Sequence, residues 1–129
     1  VSYANVILSG ARRRAKERGL KIDLDRQWVI DKIKSGCQIS GLQFRFEKTI
    51  SVGTGNAHPY YPTVDKINPS KGYTKDNCRI VCWFVNRAKG TMSDSEFIAC
   101  ANLIAYMNPM PFEDVKKELR RSFLTYMSK

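Results

Sequence analysis

Several features are missing from this 129-residue chain, and each absence removes a class of protein. No segment stays apolar for the roughly 20 residues that a bilayer-spanning helix needs, so no such helix is expected. The first residues carry no secretory pattern, because Ser9 to Arg14 turn polar and basic too soon and no cleavage-site pattern follows. The chain opens at Val1 rather than Met, as a fragment or a processed chain does. Its four cysteines, Cys37, Cys78, Cys82 and Cys100, have no regular spacing. That argues against a disulfide framework and for a reducing cytoplasm. There is no internal repeat and no low-complexity segment. Gly53-Thr54-Gly55 lacks the lysine and following helix of a phosphate loop. Acidic residues are scarce: 12 Asp and Glu face 22 Lys and Arg, for a net charge of +10, so the expected partner is a polyanion. A hydrophobic content of 43% over this length suits one modest domain.

The elements can be read in order. Residues 2–18 predict a helix with Ser2 as N-cap and Gly19 as stop. Arg12, Arg13, Arg14, Lys16 and Arg18 crowd its C-terminal half, either as a solvated face or as a sequence-independent grip on phosphates. Asp25 caps a second helix over 26–35, with Trp28, Val29 and Ile33 facing a core and Gly36 closing it. Residues 37–44 read as a strand broken by a Ser-Gly turn, and 47–61 as a loop. Ser93 and Glu96 form a capping box for a helix over 94–107. Its Phe97, Ile98, Ala101, Ile104 and Ala105 are expected in the core, as is Cys100. Asn108-Pro109-Met110-Pro111 ends it. A last helix over 112–127 carries Val115, Leu119, Phe123 and Met127 at four-residue steps, another stripe expected to be core. Its Lys116, Lys117, Arg120 and Arg121 form either a second phosphate contact or a solvated face.

The densest signal lies between Pro62 and Gly90. Thr63, Val64 and Ile67 are strand formers, and the strand end carries Asp65 before Asn68-Pro69 and Gly72 break the run. Cys78, Ile80 and Cys82 alternate with Arg79 and Val81, which predicts a half-buried second strand over 78–83. A short helix over 85–89 follows, stopped by Gly90. The pattern sets a carboxylate at one strand end and the carboxamide of Asn86 on a helix, twenty-one positions later. Oxygen ligands of this kind suit a hard divalent cation.

This pattern resembles the ββα-metal motif of the HNH endonucleases, in particular phage and bacterial members with Asp-Arg-Ile or Asp-Lys-Ile where others have Asp-His. Asp65 matches the acidic metal ligand, Asn77 the loop asparagine and Asn86 the helix ligand, with Ser70-Lys71-Gly72-Tyr73, Asp76, Cys82 and Lys89 adding to the match. The resemblance spans roughly residues 9–90 and is specific over 62–90. It implies an α+β fold: a small antiparallel ββα core with helices at both ends, in a single domain of a basic helical arm (1–36), the core (37–90) and a C-terminal helical pair (91–129). It implies one Mg²⁺ or Mn²⁺ on Asp65 and Asn86, with Asn77 holding the loop by side-chain to backbone hydrogen bonds. It points to DNA and does not distinguish RNA, and it places the protein in the cytoplasm of a bacterial or phage-infected cell.

One position departs from the pattern: Lys66 stands where the family has its catalytic histidine. A protonated lysine cannot accept a proton from water, so Lys66 is expected to bind the scissile phosphate instead. The single histidine, His58, precedes Asp65 by seven residues and is either the base, a metal ligand or a loop residue. Tyr60 and Tyr61 are weaker candidates. Lys71, Arg87 and Lys89 are expected to meet phosphate. Structural zinc is not expected, because Cys78 and Cys82 on one straight strand stand some 13 Å apart at about 3.3 Å per residue. Two function classes follow: a metal-dependent DNA endonuclease that hydrolyses or nicks phosphodiesters, or an inactive nucleic-acid-binding module on the same scaffold. A basic protein-interaction domain is a third reading.

Overall fold

The computed structural model describes residues 3–47 and 58–127, and their side chains as far as Arg120. Ser2, Gly53-Thr54-Gly55 and the side chains of Phe123 and Met127 lie outside the described residues. The elements run α1 (Tyr3–Arg18), α2 (Arg26–Ser35), β1 (Pro62–Lys66), β2 (Cys78–Cys82), α3 (Trp83–Lys89), α4 (Asp94–Met107) and α5 (Phe112–Met127). This is an α+β architecture around a two-stranded antiparallel sheet. Local chemistry sets the helix limits. The Asp25 carboxylate accepts from Trp28 N at 2.8 Å, Gly36 leaves α2 at φ 83°, and Ser93 Oγ accepts from Glu96 N at 3.1 Å.

The strands pair Pro62 with Cys82 through Lys66 with Cys78, so Asp65 lies opposite Arg79. α1 packs against β1, α2 against β2, and α3 against both strands. β2 is therefore covered more fully than its alternation suggests: Ile80, Val81 and Cys82 are all fully buried. α1 is no detached arm, since Ala4, Ile7, Leu8, Ala11 and Ala15 belong to the main core. Small residues at four-residue spacing let it lie close to β1 while its arginines stay outside.

Two expectations fail. Residues 37–44 form no strand. They fold into a tight loop instead, with Cys37 N donating to Leu42 O (2.9 Å), Gly41 N to Cys37 O (2.8 Å) and Ser40 N to the Cys37 sulfur (3.4 Å). The local Cys37 and Ser40 contacts outcompete a ladder. The apolar stripe of α4 is not core: α4 has no buried residue, Phe97 is only half-buried, and Cys100 is exposed. Helical spacing identifies a face but not its partner, and no described element covers this one. On α5, Val115 and Leu119 are half-buried.

The loop between the strands is tied down twice. An isolated parallel bridge joins Ile22 and Tyr73, with Tyr73 N donating to Lys21 O at 2.8 Å. Asn77 stitches the loop from within: its amide donates to Asn68 O (3.1 Å) and Gly72 O (2.9 Å) and its oxygen accepts from Asn68 N (3.0 Å). Gly72 lies so close to the α1–α2 link that an added Cβ would stand 2.7 Å from Lys21 O, a rigid backbone atom. Gly72→Ala should therefore lower unfolding free energy by about 1–3 kcal/mol, measured by urea denaturation.

Candidate functional site

A cavity of about 800 Å³ opens between α1, β1 and α3. α1 contributes Arg13, Arg14 and Arg18 to its wall, β1 contributes Asp65 and Lys66, and α3 contributes Asn86 and Lys89. The helical repeat brings residues 6, 10, 13, 14 and 18 to one side of α1, which explains why these arginines meet the motif while Arg12 and Lys16 do not. Lys71 and Arg87 are also exposed away from it, Arg87 lying 5.4 Å over the Trp83 ring. Five cations and one carboxylate thus line the space.

Asp65 is fixed by a cluster of charges. Arg79 Nε donates to Asp65 Oδ2 at 2.9 Å, and Lys89 Nζ approaches the same oxygen at 3.4 Å. Arg79 also grips both oxygens of Asp94, at 2.8 and 2.6 Å, and Lys89 reaches Asp94 at 3.2 Å. Lys89 was expected to meet phosphate, but its side chain is 4% exposed and its ammonium is committed to these two acids. The Arg79 guanidinium, helped by the Lys89 ammonium and opposed by burial, holds the Asp94 carboxyl down at about 2. Arg79 and Asp94 escape a motif reading because neither belongs to the matched positions. The cross-strand register of Asp65 and Arg79 was the available signal.

The oxygens left over matter most. Both contacts to Asp65 fall on Oδ2, and Oδ1 takes no hydrogen bond from any described residue. Asn86 Nδ2 donates to Thr63 Oγ1 (3.2 Å) and to Val64 O (3.3 Å), which orients the amide and leaves its Oδ1 without a described donor. The Asn86 side chain thereby reaches the residue next to Asp65, and both line the same cavity. An oxygen-only set of one carboxylate and one carboxamide fits a hard divalent cation that fills its remaining positions with water and phosphate oxygens. No group of three or more His, Cys, Asp or Glu converges among the described residues.

Tyr73, part of the matched segment but given no role from sequence, organises the cations. It is 2% exposed, its hydroxyl accepts from Arg18 at 2.9 Å, Lys66 Nζ stands 4.8 Å over its ring and Arg14 5.8 Å. Lys66 also donates to Pro69 O at 2.8 Å, which holds its ammonium on the cavity wall. His58 is not brought there. It is fully buried, accepts from Tyr60 N through Nδ1 at 3.0 Å, and desolvation lowers its pKa. Tyr60 is not on the cavity wall, and Tyr61, which is, has its phenol pushed up by burial and by Tyr3. Burial also raises the Cys78 thiol to about 11 and the Cys82 thiol to about 12, so both stay protonated at neutral pH.

No family model matches the chain, and no curated protein matches it. Among solved structures it is similar to the rare-cutting HNH restriction endonuclease PacI, with a TM-score of 0.60 and 17% identity over 83% of this chain and 80% of that one. At this identity the likeness defines the fold, which is HNH-like. No helix among the described residues is long and apolar enough to cross a membrane.

The ion cluster carries a pH signature. Because the Asp94 pKa is depressed in the folded state, its contribution is fully present above the ordinary 3.8 and is lost as pH falls through about 2. Thermal unfolding should show a Tm that falls across this window, and Asp94→Asn should flatten that part of the profile.

Proposed function

We propose that the chain is a metal-dependent endonuclease of HNH type acting on DNA. The observation that carries this reading is the pair of uncommitted oxygens, Asp65 Oδ1 and Asn86 Oδ1, on the wall of a cavity that Arg13, Arg14, Arg18 and Lys66 make strongly positive. Asp65 and Asn86 would hold one Mg²⁺ or Mn²⁺, which when bound stabilises charge on a phosphate and on a departing oxygen. The chain's own residues do the rest. Arg14 and Arg18, aligned by Tyr73, hold the nucleic-acid backbone, and Lys66 neutralises the scissile phosphate. Asn77 fixes the loop that follows Lys66 and carries Tyr73.

One observation favours a second reading, an HNH-fold module that binds nucleic acid without cutting it. Apart from Asp65, already ion-paired, the described residues of the cavity wall offer lysine, arginine and tyrosine but no side chain suited to accept a proton near neutral pH. Supercoiled plasmid separates the two readings. The wild-type protein should nick it with Mg²⁺ or Mn²⁺ and not with EDTA. Asn86→Ala, which leaves the ion cluster intact, should lower the rate about a hundredfold or more. Plasmid that stays intact with every metal, beside tight metal-independent binding, would establish the binding module.

Both readings make a common electrostatic prediction. If Arg14 and Arg18 each contact one phosphate, replacing either with Gln should reduce the slope of log K against log salt by about 1, while Arg12→Gln should change it little. Filter binding or fluorescence anisotropy over a salt series measures this.

A further inference from the structure

The sequence from Phe97 to Phe112 runs for sixteen residues without one charge, in a chain that carries 34. This stretch forms most of α4 and its exit, and it stands in solvent: Leu103 is 61% exposed, Ile104 65%, Tyr106 80% and Phe112 72%. Ile98, Met107 and Met110 are exposed with them. A helix apolar around most of its circumference is ordinarily buried. Yet α4 buries no residue, and among the described residues it makes no extensive packing contact with another element.

We infer that this face is the contact between two copies of the chain, an isologous dimer built on α4 and the start of α5. Area supports the second copy as occupant. The side of α4 that carries Cys100, Leu103, Ile104 and Met107, with Met110 and Phe112 at its exit, exposes on the order of 600 Å², which approaches the roughly 800 Å² that each partner gives to a standard stable interface and reaches the top of the range for the largest patch of a typical monomer. Charge supports it as well. Two bodies of net charge +10 repel, and this uncharged stretch lets them approach with little like-charge opposition. Its borders carry both signs, Glu96, Glu113 and Asp114 beside Lys116, Lys117 and Arg120, so the same border can complement itself across a two-fold axis. None of this depends on the nuclease reading.

Sedimentation equilibrium of the full chain over a concentration series tests the inference. A discrete species of twice the chain mass is expected. Leu103→Glu and Ile104→Glu, at positions that support no monomer packing, should weaken self-association about tenfold or more while circular dichroism and Tm hold. The Cys100 thiol, exposed on the same helix, gives a second readout: its alkylation rate should fall as protein concentration rises, and should not fall in the Glu variants. A wild-type chain that stays monomeric throughout, with Cys100 equally reactive at every concentration, overturns the proposal. So does a dimer that both substitutions leave intact, or polydisperse aggregation without a discrete species.

Discussion

The ion cluster around Asp65 is the constraint on which the rest of the molecule depends. It joins four elements at one point: Asp65 on β1, Arg79 on β2, Lys89 on α3 and Asp94 at the start of α4. Two acids balance two bases, which is what makes burial of Lys89 and Asp65 tolerable. An unpaired charge at their depth would face a desolvation cost of several kcal/mol. Removing the Asp65 carboxylate leaves Arg79 and the enclosed Lys89 to share the more exposed Asp94 alone, two cations on one acid. The same cluster sets the direction of the carboxylate. With Oδ2 occupied by Arg79 and Lys89, Oδ1 is the atom available to anything that enters the cavity.

The opposite wall owes its form to α1, which works on two sides at once. Ala11 and Ala15 disappear into the core, and the helix sides beside them carry Arg13, Arg14 and Arg18 to the cavity. Tyr73 then converts Arg14, Arg18 and Lys66 into an ordered group, through one hydrogen bond and two ring contacts. Its own position is fixed by the bridge to Ile22, and that bridge requires a residue without a side chain at Gly72. A short chain of backbone contacts thus links the α1–α2 connection to the placement of charge around the cavity.

Much of this was legible from residues. The two strands, the α3 stop at Gly90, the Asp25 and Ser93 caps and the placing of Asp65 and Asn86 on one cavity wall all follow from local chemistry and motif spacing. The failures share one cause, namely that each turned on tertiary partners. Lys89 looks like a surface cation until Asp65 and Asp94 close on it. His58 looks like a loop residue until the fold encloses it. The α4 stripe has the spacing of a core helix, and only the fold shows that nothing described covers it. Residues 37–44 have strand-like composition, but Cys37 gathers the Ser40 and Cys82 amides around its sulfur and curls the segment.

The central claim is that one carboxylate oxygen and one amide oxygen from distant parts of the chain serve a common cation. An anomalous difference map from crystals soaked in Mn²⁺ tests it most directly. The account predicts a single strong peak within about 2.0–2.6 Å of both Asp65 Oδ1 and Asn86 Oδ1, with the contacts from Arg79 and Lys89 to Oδ2 retained. Manganese bound only elsewhere on the protein, with no density between these two oxygens, would contradict it.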